Sequence, residues 1–187
     1  MLIVARTVSD AADNPRRRLS ARAATVVVTV GIEYMCGDAT APDGKGVRVI
    51  AHVCNDRGGW GKGFVLALSK RWPQPEAEYR AWHRERARND FGLGARQMVQ
   101  VDRLLWVANL IGQHGTRTSR SSGVPVRYGA IGQALAKLVP RARALGASVH
   151  MPRIGCGLAG GRWERVEPLI EATLVSAGIP VTVYDRD

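Results

Sequence analysis

Apolar residues in this chain gather in short runs separated by polar stretches, and the runs are of two kinds. "TVVVTVGIEYM" (25–35), "VRVIAHVCN" (47–55), "ARQMVQV" (95–101), "LLWVANLIG" (104–112), "ASVHMP" (147–152) and "IPVTVYD" (179–185) are short and rich in β-branched residues, which predicts strands. The second is apolar on nearly both faces and belongs in the middle of a sheet. "FVLALSKRW" (64–72), "PEAEYRAWHRERAR" (75–88), "VRYGAIGQALAKLVPRARALG" (126–146) and "WERVEPLIEATLVSAG" (163–178) predict helices. Pro73 and Pro75 stop the first, Pro140 interrupts or extends the third, and Gly146 ends it. Asp102 and Arg103 form too short a link for a crossover, so the strands either side should pair antiparallel and the sheet should be mixed. About six strands alternating with helices predict a single α/β layered domain.

Bulk composition narrows this picture. At 187 residues with 45% apolar content, the chain suits one well-formed core. No apolar run reaches the roughly 18 residues of a membrane span. Three dispersed cysteines (Cys36, Cys54, Cys156) lack zinc spacing and predict a reducing, cytoplasmic setting. The formal charge of +11 favours anionic partners without choosing among them. Nucleic acid is allowed by that charge but not favoured, because the arginines are scattered apart from "PRRRLSAR". Residues 1–24 predict a mobile basic leader, with the folded domain spanning 25–187.

Candidate chemistry centres on two glycine loops, "DRGGWGKG" (56–63) and "GCGLAGG" (155–161), each placed between a strand and a helix. There, backbone N–H groups and a helix N-terminus converge on an anion. No Ser or Thr follows Gly61-Lys62, so this is not a nucleotide-triphosphate loop, and two such loops point to a diphosphate held mainly by backbone. Tight turns between packed elements would use the same glycines. Trp60 could cover a ligand ring or sugar, whereas Trp72, Trp82, Trp106 and Trp163 read as core or shell. Asp38 could accept from an exocyclic amine or cap a helix. His52 reads as a core histidine and His83 as solvent-side. Gln113 and His114 stand at a strand end, and His150 could face either way. Four dispersed histidines predict no metal site.

Together "EYMCGDAT", "IAHVCNDRGGWGKGF", "VANLIGQ", "MPRIGCGLAGGRW" and "VTVYD" resemble a macrodomain, from about residue 32 to the end. The resemblance is closest to the branch of terminal ADP-ribose protein glycohydrolases and ADP-ribose-1''-phosphate processing proteins. It implies a three-layer α/β/α fold with a mixed central sheet and an ADP-ribose ligand, with no cofactor. By that resemblance Asp38 takes the adenine amine, with Ala39 beside it, and Asn55 lies near the distal ribose. Gly61, Lys62 and Gly63 form the first diphosphate loop, and Gly155, Cys156, Gly157 and Leu158 the second.

The glycohydrolase's catalytic lysine and aspartate fall at Gln113 and Ala159, neither of which can form a Schiff base or move a proton. A covalent route is therefore not expected. An ester of ADP-ribose on an acidic side chain is labile enough for positioning and an oriented water. Asn55, Asp56, Gln113 and His114 are the side chains expected to serve it, with Asp56 or His114 as base and Asn55 orienting ribose hydroxyls. The expected activity is hydrolysis of mono-ADP-ribosylated protein, and the alternative is a non-catalytic ADP-ribose-binding module. The Arg, Ala and Gly bias suggests a high-GC bacterial source.

Overall fold

Six strands, β1 (Ile32–Cys36), β2 (Arg48–Asn55), β3 (Arg96–Asp102), β4 (Leu105–Gln113), β5 (Ser148–Pro152) and β6 (Val181–Asp185), form one sheet in the order β1-β6-β5-β2-β4-β3. The computed structural model describes residues 31–116 and 123–185. The predicted leader, the start of the first predicted strand and residues 117–122 of the polar loop lie outside these ranges. All neighbouring strands are parallel except β3 and β4, which pair antiparallel across the Asp102–Arg103 link.

Period-two alternation along β2 sorts its side chains to two apolar layers. Val49 and Ala51 join Ala108, Leu110, Val149 and Met151 beneath α3 (Tyr128–Leu145) and α4 (Trp163–Ile170). Ile50 and Cys54 join Val107 and Ile111 beneath α1 (Phe64–Ser69) and α2 (Gln74–Arg84). Burial on both faces explains the near-continuous apolar run in this strand and makes the fold a three-layer α/β/α sandwich.

Helix ends depart from the sequence expectation for local reasons. Helix α1 stops at Ser69, and the Lys70 and Trp72 N–H groups close its last turn on Leu66 and Leu68. Helix α2 starts one residue early, with Pro75 in its first turn where a missing N–H costs nothing. It ends at Arg84, before the predicted Arg88, and the Asn89 side chain takes the Trp82 carbonyl at 2.8 Å. Pro140 sits on the solvent side of α3 and does not end it; Gly146, at φ 58°, does. The predicted helix 163–178 is α-helical only to Ile170 and continues as a π-helix, Glu171–Val175. There the Thr173 and Ser176 hydroxyls bond back to the carbonyls of Leu169 and Ala172 and compete with the backbone pattern.

Candidate functional site

Parallel strands bring the carboxyl ends of β1, β6, β5 and β2 to one edge of the sheet, the edge where ligands of open α/β folds bind. A cleft of about 350 Å³ opens there, with Gly37, Ala39, Phe64, Arg153, Gly157 and Tyr184 among its lining. The glycines of the two loops divide by what surrounds them. Gly161 is demanded by the fold, because a Cβ there would lie 2.5 Å from the Gly155 carbonyl oxygen, and the two residues are hydrogen-bonded at 2.9 Å. Gly63 has φ 79°, and a Cβ on it would meet Leu158 at 3.3 Å, so the loops touch each other at this point. Gly61 and Gly157 are different: nothing lies within 4 Å of a Cβ built on either, and neither has positive φ. The fold does not require glycine at these two places, which leaves bare backbone facing open space.

Asp38 stands beside Ala39 at the cleft. Its carboxylate accepts the Thr40 N–H at 2.9 Å and the Thr40 hydroxyl at 2.8 Å, and pairs with Arg71 at 3.3 Å. Partial burial alone would raise its pKa, but these donors outweigh it and hold the group below the usual carboxylate range. It is an anionic acceptor that remains substantially exposed.

At the ends of β2 and β4, Asp56 and His114 come together. His114 Nδ1 lies 2.6 Å from Asp56 Oδ2, and the Gly115 N–H donates to Oδ1 at 2.9 Å. Burial pushes the Asp56 carboxyl up, yet the Gly115 and His114 hydrogen bonds leave it below its ordinary value. Asp56 therefore holds the imidazole by one nitrogen and leaves Nε2 for proton exchange. Gln113 turns its amide onto the Gly115 carbonyl at 2.8 Å and braces the same turn.

Two of the expected site residues spend their polar groups on the protein itself. Asn55 is 8% exposed and its amide is committed to the first loop: Nδ2 donates to the Gly59 carbonyl at 2.6 Å, and Oδ1 accepts from the N–H groups of Arg57 and Gly59. It shapes the glycine loop, and its oxygen and one amide N–H are already engaged there. Trp60 is buried in the core beneath α1 and α2, donates Nε1–H to Ser69 Oγ at 2.8 Å and packs on His52 and Tyr79, away from the residues that line the cleft.

Lys62 is exposed on the first loop. Leu158 is exposed on the second, and Ala159 is buried. Burial raises the Cys156 thiol, so it is not a poised nucleophile. His83 is half-buried rather than solvent-side, its ring against Gly58 and Phe91. His52 Nε2–H donates to Asn109 Oδ1 at 2.6 Å in the core, and burial lowers its pKa to about 4. Among the described residues no three His, Cys, Asp or Glu side chains gather as a metal site.

The cleft also uses Phe64, Arg153, Tyr184 and Asp185, which motif reading passed over. Arg153 makes two hydrogen bonds to Asp185, at 2.5 and 2.7 Å, and its guanidinium lies over the rings of Tyr34 and Trp163. Their signal in the sequence was positional: three of the four follow or close a strand at the binding edge.

No protein-family model matches the chain. Mouse chromodomain-helicase-DNA-binding protein 1-like is 32% identical over 83% of the chain, which spans only 18% of that protein's length. An ADP-ribose 1''-phosphate phosphatase from Lodderomyces elongisporus is 26% identical, covering 75% of this chain and 91% of the yeast protein. The solved macrodomain protein from Streptomyces coelicolor is 67% identical, with a TM-score of 0.75, over 83% of this chain and 99% of the other. That identity over nearly the whole of a relative, on the same three-layer sandwich, shows that the chain belongs to the macrodomain family.

Proposed function

We propose that the cleft binds ADP-ribose and that the protein hydrolyses the ester joining ADP-ribose to an acidic side chain of a mono-ADP-ribosylated protein. The open backbone at Gly61 and Gly157 suits close approach of a diphosphate, and the Asp38 carboxylate suits an exocyclic amine. The relative named ADP-ribose 1''-phosphate phosphatase supports this ligand and a hydrolytic use of it.

The observation that carries the catalytic reading is the Asp56–His114 hydrogen bond. His114 Nε2 removes a proton from water as its oxygen attacks the ester carbonyl, while Asp56 steadies the imidazolium. Collapse of the tetrahedral intermediate breaks the bond to the ribosyl oxygen, which takes the proton back, releasing ADP-ribose and the carboxylic acid. Gln113 and Asn55 support this pair and the neighbouring loop through their own hydrogen bonds.

The second reading, an ADP-ribose-binding module without turnover, is favoured by Gln113 and buried Ala159 at the places of the related glycohydrolase's lysine and aspartate. Release of label from protein mono-ADP-ribosylated on glutamate separates the two. Wild-type release that is lost in His114→Ala supports hydrolysis. Calorimetric binding of ADP-ribose without release supports the module, and neither signal overturns the ligand. The Streptomyces likeness supports a bacterial source, and the cysteine pattern a cytoplasmic one.

A further inference from the structure

Tyr184 walls the cleft, and its hydroxyl is held from two sides. His150 Nδ1 lies 3.1 Å from it, and the Asp43 N–H donates to it at 3.2 Å. His150 itself is 4% exposed, with Nε2 at 2.8 Å from Ser148 Oγ. These contacts join β5, β6 and the 37–46 loop at one oxygen. That loop also carries Gly37 and Ala39 of the cleft lining, with Gly37 against the Tyr184 ring, and Arg48 ties it to β2 by donating to the Pro42 carbonyl at 2.9 Å.

One assignment of hydrogens satisfies the chain: Nε2–H donates to Ser148, Tyr184 O–H donates to Nδ1, and Tyr184 oxygen accepts from Asp43. It requires a neutral imidazole, and burial followed by the charge of Arg48 lowers His150 to about 4. The Tyr184 ring is thus fixed at both ends, by β6 at its backbone and by His150 at its hydroxyl.

We infer that His150, by hydrogen-bonding the Tyr184 hydroxyl, is a positioning residue that presets the aromatic wall of the cleft for the planar base of its ligand. The inference rests on the ADP-ribose reading. A preset wall avoids the cost of ordering a mobile ring on binding. Ser148 extends the relay, and the Asp43 N–H couples it to the 37–46 loop beside the ring.

The test is a double-mutant cycle read by calorimetry with ADP-ribose. Tyr184→Phe and His150→Leu should each weaken binding about fivefold, the worth of one ordinary hydrogen bond. The double variant should be no weaker than the poorer single one, and His150→Gln should recover most of the loss. Label release should show a raised KM with kcat unchanged. Additive losses, or unchanged binding in His150→Leu, overturn the inference. If His150→Leu does not fold, the cycle runs on Tyr184→Phe with His150→Gln, and losses that simply add there overturn it equally. Wild-type protein that fails to bind ADP-ribose overturns the ligand reading first and removes this role with it, a result distinct from binding with additive losses.

Discussion

The imidazole of His114 is hydrogen-bonded at 2.6 Å to the carboxylate of Asp56, a residue 58 positions earlier in the chain. The two meet because β2 and β4 are parallel neighbours whose ends coincide, and the Asp56 N–H bonds to the Gln113 carbonyl at 2.9 Å. A side-chain pair built on adjacent strand ends is held more rigidly than one built on loops alone.

Removing either member should stop turnover without emptying the cleft. Asp56→Asn and His114→Ala are each expected to lower kcat by about 10²- to 10⁴-fold, the usual range for a lost general base. Affinity for ADP-ribose should stay within about threefold, checked by calorimetry on the same preparations. Equal losses in binding and kcat would assign the pair a structural role.

Gly157 and Gly161 should respond oppositely to alanine. Gly161→Ala forces a Cβ against the Gly155 carbonyl oxygen and should cost about 1–3 kcal/mol in denaturant unfolding. Gly157→Ala meets nothing in the unliganded protein and should leave stability unchanged or raise it by up to about 1 kcal/mol. Its methyl would occupy the surface proposed for the diphosphate, so ADP-ribose binding should fall by at least about tenfold.

Asn55→Ala removes three hydrogen bonds that shape residues 57–59 and should lower stability by about 1–3 kcal/mol. Asn55→Asp keeps the acceptor for the Arg57 and Gly59 N–H groups but loses the donor to Gly59, and should fall between wild type and alanine in thermal unfolding. If instead both variants unfold like wild type and lose only ligand affinity, Asn55 belongs to the binding surface.

Acid should weaken the fold in a defined window. His52 and His150 are both lowered to about 4 in the folded protein, so the unfolded chain takes up protons first as pH falls. Stability should be level above the unfolded histidine value near 6.5 and decline toward about 4, by up to about 1.4 kcal/mol per pH unit for each histidine. Asp38 and Asp56, lowered instead, add their loss only below the ordinary carboxylate range. Urea midpoints at pH 7, 6 and 5 check this, and His150→Gln should roughly halve the slope.

Much of this architecture was legible because burial leaves a periodic mark. The two-faced run at β2 and the short link before β4 determined the central strand and the one antiparallel pair. The glycine loops were legible because only a strand before and a helix after make such loops useful. What escaped was the pairing of individual polar atoms. Asn55 and Trp60 each carry groups that suit a ligand, but Gly59 and Ser69 already use them, and for Trp60 nothing in the spacing said so. For Asn55 a signal existed: Asn ahead of a Gly-Gly pair is the pattern of a side chain closing its own turn. Arg153 and Tyr184 were hidden because long-range pairs such as Arg153–Asp185 leave no trace in local sequence.

The pairing of β1 with β6 alone has a consequence for the order of assembly. The Gly37 N–H donates to the Asp185 carbonyl, so this wall of the cleft joins two segments far apart in the chain. A nascent chain emerging from the ribosome can already close both glycine loops and join Asp56 to His114, yet it has no seat for β1 until β6 has been made. A complete cleft edge thus waits until β6 has been made, and the unpaired edge of β5 is what a chaperone would meet in the meantime.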